Sequence, residues 1–208
     1  MREIDWYFDP ISPYAYLAFT ELHTLAPLAR VRLRPVLFAG LLAHWNNVGP
    51  AEIPPKRTWT YRFCAWQAKQ KGIPFVSPAA HPFNPLPWLR LATKLEGEEN
   101  AVRRIFEAIW TTGEDAGDAR RAHALARELG VDPESLGDPE IKDRLRAETD
   151  AATARGVFGV PSLVVDAEVF WGVDAMDFAR AYLEDPTLLQ QPGLALPEIP
   201  VGAVRRNR

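Results

Sequence analysis

The sequence has a single cysteine, Cys64, among 208 residues. One thiol excludes an internal disulfide framework and any multi-cysteine metal site. Basic charge does not predominate either. The 24 Lys and Arg stand against 27 Asp and Glu, a formal net charge of -3, which argues against a general nucleic-acid binder. No run approaches the roughly 18 uninterrupted apolar residues of a membrane-crossing helix, so no membrane association is expected. The first apolar run, Ile4 to Phe8, follows no charged leader with a long apolar stretch. A cytoplasmic location is therefore expected. His23, His44 and His123 have no ligand-like spacing with a partner, so no metal is expected.

Apolar residues and proline are plentiful. Hydrophobic residues make up 47% of the chain, ample for one domain, or for one domain with a large insertion. The 19 prolines punctuate elements and form no low-complexity run. Ile4 to Phe8 reads as a buried strand that Asp9-Pro10 breaks. Ser12-Pro13 then reads as a helix N-cap followed by proline at the first helical position. The helix is predicted to run to about Leu25, with Tyr14, Leu17, Ala18 and Leu22 on one face. Val31 to Phe38 reads as a second strand, and Pro35 suggests an edge or a bulge. A strand–helix–strand connection of this length predicts parallel pairing.

From Gly40 to about Gly156 the pattern is helical. Helices are predicted over Thr58 to Lys71, from Asn84-Pro85 to Gly97, over Ala101 to Thr112, from Asp118 to Gly130, and from Asp138-Pro139 onward. Trp59, Phe63 and Trp66 fall near one face of the first. The tryptophans at 59, 66, 88 and 110 are expected mostly in the core, with one or two lining an aromatic site. Ser162 to Asp166 and Val169 to Trp171 read as a hairpin. Asp174 is predicted to cap a last helix carrying Met176, Phe178, Ala181 and Tyr182. The order predicts an α/β, thioredoxin-like fold (βαβ…ββα) with a large all-helical insertion. The expected boundaries are 1–39 and 157–185 for the thioredoxin-like part, 40–156 for the insertion, and 186–208 for a surface tail, basic at Arg205 and Arg206.

Four stretches carry candidate chemistry. In Ser12-Pro13-Tyr14-Ala15, serine and alanine occupy both cysteine positions of a thioredoxin-type C-x-x-C. The chain therefore cannot run dithiol exchange alone, and thiol chemistry requires a sulfur supplied by a ligand. A hydroxyl at a helix start can hydrogen-bond a thiolate and lower its pKa; the plainer reading is that Ser12 only caps its helix. In Gly159-Val160-Pro161-Ser162, a cis proline would present the Val160 backbone to an extended peptide, whereas a trans proline would simply begin a strand. In Phe170-Trp171-Gly172-Val173-Asp174, Asp174 either caps a helix or receives the charged amino-acid end of a tripeptide. In Asn46-Asn47-Val48-Gly49-Pro50 with Lys56 and Arg57 downstream, the basic pair either faces a carboxylate or is solvated. His81, in a proline-rich loop, is a general acid or base near neutral pH or an ordinary loop residue. Cys64, in an apolar helix, reads as a buried structural thiol rather than a nucleophile.

The motifs DPISPYAYLA, NNVGP, GIPF, HPFNPLP, FGVPSLVV and FWGVDAM, spanning Phe8 to Met176 in order, resemble those of the 2-hydroxychromene-2-carboxylate isomerase family. That family is DsbA-like and related to kappa-class glutathione transferases. The resemblance implies glutathione as cofactor, with Ser12 stabilising its thiolate. It implies that Val160, with Pro161, pairs with the cysteinyl part, and that Trp171, Gly172, Val173 and Asp174 bind the γ-glutamyl end. Tyr14, Asn47, Lys56, His81 and Asn84 are the expected substrate-side residues. Some family members place a tyrosine where this chain has His81, and a lysine near Leu42. The implied reaction interconverts 2-hydroxychromene-2-carboxylate and trans-o-hydroxybenzylidenepyruvate by reversible thiolate addition, in aromatic catabolism, within a homodimer. A kappa-like transferase conjugating an electrophile and a non-catalytic thioredoxin-like binding module are the alternatives.

Overall fold

The structure is a computed structural model that describes residues 1–195 and 202. Strand β1 (Arg2–Phe8) is central, and from Ile4 to Phe8 it is buried on both faces. Its parallel neighbour is β2 (Ala29–Pro35), with Trp6 opposite Leu33 and Phe8 opposite Pro35. On its other side β1 runs antiparallel to β3 (Ser162–Val165), which pairs antiparallel with β4 (Glu168–Trp171). The sheet order is β2-β1-β3-β4. Pro35 thus sits on an edge strand, where a missing N–H costs no ladder bond.

Alternation along β1 assigns its side chains to two layers. Ile4, Trp6 and Phe8 enter the main core with α1 (Pro13–Phe19) and α5 (Glu99–Trp110). There Trp6 stacks on Phe8 at 5.0 Å, and Phe106 meets Phe8 and Phe19 at 5.7 and 5.3 Å. Helix α8 (Met176–Glu184) covers the hairpin from the same side, with Tyr182 against Phe170. The opposite face carries Tyr7, Val160 and Val164, packed with Leu41 of α2 (Phe38–His44) and Ala152 of α7 (Pro139–Ala154). Asp5 also points that way. It is 4% exposed and accepts hydrogen bonds from Arg32, Arg34 and Arg155. Burial alone would raise its pKa, but the three guanidiniums outweigh it and hold the carboxyl below its usual range.

Between β2 and β3 the regular structure is helical: α2, α3 (Pro54–Lys71), α4 (Leu86–Lys94), α5, α6 (Ala119–Glu128) and α7, with short 3-10 turns. Asp118 caps α6 by accepting from the Arg120 N–H. The turn after α4 closes where Gly97 adopts a positive φ of 68°. A side chain there would collide with the Leu33 carbonyl oxygen, so the glycine permits α4 to lie against β2.

Several expectations need correction. The first helix ends at Phe19, and a separate 3-10 turn follows over Leu22–Leu25. Thr20 terminates it by folding its hydroxyl onto the Leu17 carbonyl. The second strand begins at Ala29 and stops at Pro35. Asp166 belongs to the hairpin turn, with φ 56°. Asp174 caps no helix. It lies inside a 3-10 turn, Val173–Ala175, and makes no capping hydrogen bond. Phe178 is 42% exposed, and Ala179 is buried in its helix. Trp88 and Trp110 are fully buried, but Trp59 and Trp66 are 64% and 57% exposed. The residues of α3 that face inward are the small Thr60, Cys64 and Ala68, which allow α1 to pack close. Beyond Asp185, Leu188 and Leu189 rest against the core; Arg205 and Arg206 lie outside the described residues.

Candidate functional site

The loop joining β1 to α1 is held by groups from distant parts of the chain. Asp9 is fully buried. Its Oδ1 accepts from the Ile11 N–H at 3.0 Å, its Oδ2 from the Phe38 N–H at 2.9 Å, and its carbonyl from the Ser12 N–H at 3.0 Å. Loss of water pushes the Asp9 pKa up to about 7, against the two N–H bonds that favour the ionised form. The Pro10 carbonyl accepts from Trp110 Nε1 at 2.9 Å. The Ile11 carbonyl lies 2.9 Å from His81 Nε2. A carbonyl can only accept, so Nε2 carries the hydrogen.

His81 is packed among Tyr61, Phe83 and Trp110, at ring distances of 5.6 to 5.8 Å. Burial holds its pKa below the ordinary value, and the nearby charge of Arg57 adds to that. The neutral ring therefore carries its hydrogen on Nε2 and leaves Nδ1 as an acceptor. Nδ1 is buried and has no partner among the described residues.

Ser12 is 8% exposed and caps α1, its Oγ accepting from the Ala15 N–H at 3.2 Å. Its hydroxyl points at the Val160 carbonyl, 3.5 Å away. That is the weak end of hydrogen-bond range, so the hydroxyl can turn to a better acceptor at small cost. The Val160–Pro161 bond is cis, as the first of the two sequence readings had it. Backbone bonds frame this segment: Ser162 Oγ donates to the Gly159 carbonyl at 2.8 Å, and the Gly172 N–H donates to the Pro161 carbonyl at 2.9 Å. Trp171 lies across Gly159, where an added Cβ would meet its Nε1 at 2.5 Å, and against Phe158 at 5.2 Å. The structure thus gathers Ser12, Val160, Pro161, Trp171 and Gly172 at one end of the sheet. Val173 is buried beside them, and Asp174 is exposed without an ion pair among the described residues.

The substrate-side candidates divide. Tyr14, in the first turn of α1, faces Phe63 of α3 at 6.4 Å. Burial raises its pKa; the Asp174 charge adds to that, while Thr60 opposes it. His81 reaches the residue before Ser12. Asn47 is exposed and turns its Oδ1 back to the Val48 N–H, and Asn84 does the same for the Leu86 N–H. Lys56 is exposed in the first turn of α3. No contact ties these three to Ser12 among the described residues. Cys64 is fully buried, and burial pushes its thiol up to about 12, which rules it out as a ready nucleophile. Sequence reasoning missed the roles of Asp9 and Trp110. Asp9-Pro10 was readable as a side-chain-to-backbone turn; nothing local marked Trp110.

A thioredoxin-type sheet with serine at the helix start and a cis proline facing it defines a class of thioredoxin-fold proteins that lack their own redox cysteines. The match to the DSBA-like thioredoxin domain over residues 3–184 makes this chain a member of that family, on the branch that holds the 2-hydroxychromene-2-carboxylate isomerases and kappa-class transferases. A 2-hydroxychromene-2-carboxylate isomerase of Sphingobium xenophagum is 32% identical over 196 residues, covering 88% of this chain and 99% of that protein. The glutathione transferase kappa 2 of Caenorhabditis elegans is 26% identical, covering 89% and 93%. A solved 2-hydroxychromene-2-carboxylate isomerase superposes with a TM-score of 0.78 at 26% identity, covering 90% and 97%.

Proposed function

We propose that this protein is a glutathione-dependent isomerase of the 2-hydroxychromene-2-carboxylate isomerase type. The observation that carries the reading is the Ser12 hydroxyl, placed at the start of α1 and facing the Val160 carbonyl, with the lone cysteine buried elsewhere. The residues present fit glutathione. Among the described residues the Val160 N–H has no acceptor, and its carbonyl holds only the long contact to Ser12. That leaves both groups for a peptide laid along this segment. Trp171, Gly172, Val173 and the unpaired Asp174 would receive its γ-glutamyl end.

When bound, glutathione supplies a thiolate that adds reversibly to an electron-poor carbon of an unsaturated aromatic substrate, so that a double bond becomes single, rotates and re-forms. The chain's own part is to keep that sulfur negative and in place. Ser12 would turn its hydroxyl from Val160 to the sulfur, and the positive end of α1 would face the same charge. Asp9 and Trp110 fix the loop backbone, so that only the hydroxyl would have to turn. In this reading the two substrates are 2-hydroxychromene-2-carboxylate and trans-o-hydroxybenzylidenepyruvate, and the protein works as a cytoplasmic homodimer in aromatic catabolism. Residues 1–39 with 157–185 form the glutathione-binding unit, and 40–156 the insertion that completes the substrate site.

The test is the Ser12→Ala variant. It should lose about a hundredfold in glutathione-dependent turnover, and the thiolate absorbance of bound glutathione should titrate at higher pH. Full turnover by the variant removes Ser12 from the mechanism. The relatives named kappa transferases favour a second reading, conjugation of an electrophile. Product mass separates the two: an isomerase releases its substrate's mass unchanged, a transferase a thioether.

A further inference from the structure

Among the described residues the buried carboxylates are Asp5 and Asp9, and their surroundings differ. Asp5 is met by three guanidiniums. Asp9 has no exposed surface, and no charged side chain acts on it. Its two oxygens are held by backbone alone: Oδ1 by the Ile11 N–H in the site loop, Oδ2 by the Phe38 N–H at the start of α2. N–H groups favour the ionised form without cancelling its charge. An ionised Asp9 is therefore an enclosed negative charge with no counter-charge.

That charge is tied to Ser12. The Asp9 carbonyl accepts from the Ser12 N–H at 3.0 Å. The carboxylate Oδ1 lies 3.0 Å from the Ile11 nitrogen, one residue before Ser12. Backbone dimensions then keep it within about 10 Å of the Ser12 Oγ. Ser12 is itself only 8% exposed, so little water or salt screens one site from the other. The other ionisable groups around the loop are Tyr14 and Tyr16 of α1, His44 of α2, Glu107 of α5, His81, and the Arg34–Glu148 pair. None of them shifts the Asp9 carboxyl. Burial pushes both tyrosines up and His81 down, so these three stay neutral near pH 7.

We propose that Asp9 is a positioning residue that governs how readily a sulfur at Ser12 loses its proton: ionised, its carboxylate opposes a thiolate there, and protonated it does not. This rests on the reading of Ser12 as the sulfur site. The opposition is mutual, so a thiolate at Ser12 also favours the protonated form of Asp9, by the same factor. The two groups titrate as a pair, and the one that ionises second carries the shift. With Asp9 pushed up to about 7, this exchange of charge falls near neutral pH instead of in the acid range of ordinary carboxyls.

The test puts a sulfur on the chain itself with Ser12→Cys, so that it needs no glutathione. Cys64 is buried and pushed up to about 12, and stays silent. Thiolate absorbance titrates the new thiol with and without Asp9→Asn. Because an amide oxygen cannot take over both oxygens' bonds, Asp9→Ser is the second neutral variant. NMR of isotope-labelled aspartate titrates Asp9 in Ser12→Cys, with the thiol free and with it capped by a neutral methylthio group. Where the thiol ionises second, neutralising Asp9 should make it about tenfold more acidic. Where Asp9 ionises second, capping the thiol should make Asp9 about tenfold more acidic. A purely structural role for Asp9 predicts neither shift, and the absence of both overturns the proposal. The thiolate absorbance of bound glutathione should follow the same rule in wild type and Asp9→Asn. Calorimetry that finds no glutathione bound to the wild type sinks the isomerase reading, and the Ser12→Cys titrations still decide the role of Asp9.

Discussion

The indole N–H of Trp110, at the end of α5, donates to the Pro10 carbonyl at 2.9 Å, across 100 residues of sequence. Both groups are buried, so the bond fixes the site loop to the helical segment. Trp110→Phe keeps the ring packing and leaves the Pro10 carbonyl unpaired. The expected cost is about 1–3 kcal/mol, read by urea unfolding. Glutathione-dependent turnover should fall further than the stability loss explains, because the loop carrying Ser12 loses a tether. Unchanged turnover would mean that the loop is held adequately by Asp9 and His81.

Asp9 makes a pH prediction. Its folded pKa, about 7, lies above the value of 3.8 for an unperturbed carboxyl. The folded protein therefore binds this proton more tightly than the unfolded chain. The associated stability is fully present below about pH 4 and is lost as pH rises to about 7, on the order of a few kcal/mol. Asp9→Ala should be less stable throughout, since the N–H groups of Ile11 and Phe38 lose their acceptor. It should also lack this component of the slope. Identical pH slopes of unfolding free energy in wild type and variant between pH 4 and 8 would contradict the assignment.

Three glycines separate fold from site. Gly97→Ala forces a side chain onto the Leu33 carbonyl at a positive φ, and should cost about 2–4 kcal/mol. Gly72 has φ 67° but open space around it, so Gly72→Ala should cost only about 1–2 kcal/mol. Gly159→Ala meets the indole of Trp171, which is 54% exposed and free to swing outward. That variant should melt near the wild-type temperature yet bind glutathione several-fold more weakly. Differential scanning calorimetry with isothermal titration tests the set.

Cys64 should be inert. With its thiol pushed up to about 12 and no exposed surface, it should resist Ellman's reagent until the protein unfolds. Cys64→Ala should retain glutathione-dependent turnover and lose about 1 kcal/mol for the small void left behind. Rapid labelling of the native protein would show that α1 and α3 part readily.

The sheet and the site loop were legible because their signals are local. Asp9-Pro10, Ser12-Pro13 and Gly159-Val160-Pro161 each restrict backbone angles within a few residues, and the end of β1 and the starts of α1 and β3 fell close to where those residues put them. Helix α3 was misread for a physical reason. Apolar residues surround it, so periodicity does not say which side turns inward; the close approach of α1 decides, and it selects Thr60, Cys64 and Ala68 over the larger rings. Asp174 was misassigned because a 3-10 turn, Val173–Ala175, precedes α8 and takes Asp174 into its interior, two residues short of the first residue of α8. The tethers from Trp110 and His81 had no signature at all, since each joins a helical-segment residue to a backbone carbonyl 70 or more positions away.

The cluster around Asp5 bears on how such a chain can diversify. Arg32 and Arg34 belong to the last strand before the long excursion, and Arg155 caps α7, the last helix of it. Departure and return are thus clasped side by side on a single carboxylate. The outward loops of what lies between can vary without disturbing strand alignment, so the outer surface of the helical segment can be rebuilt while the sheet stays in register.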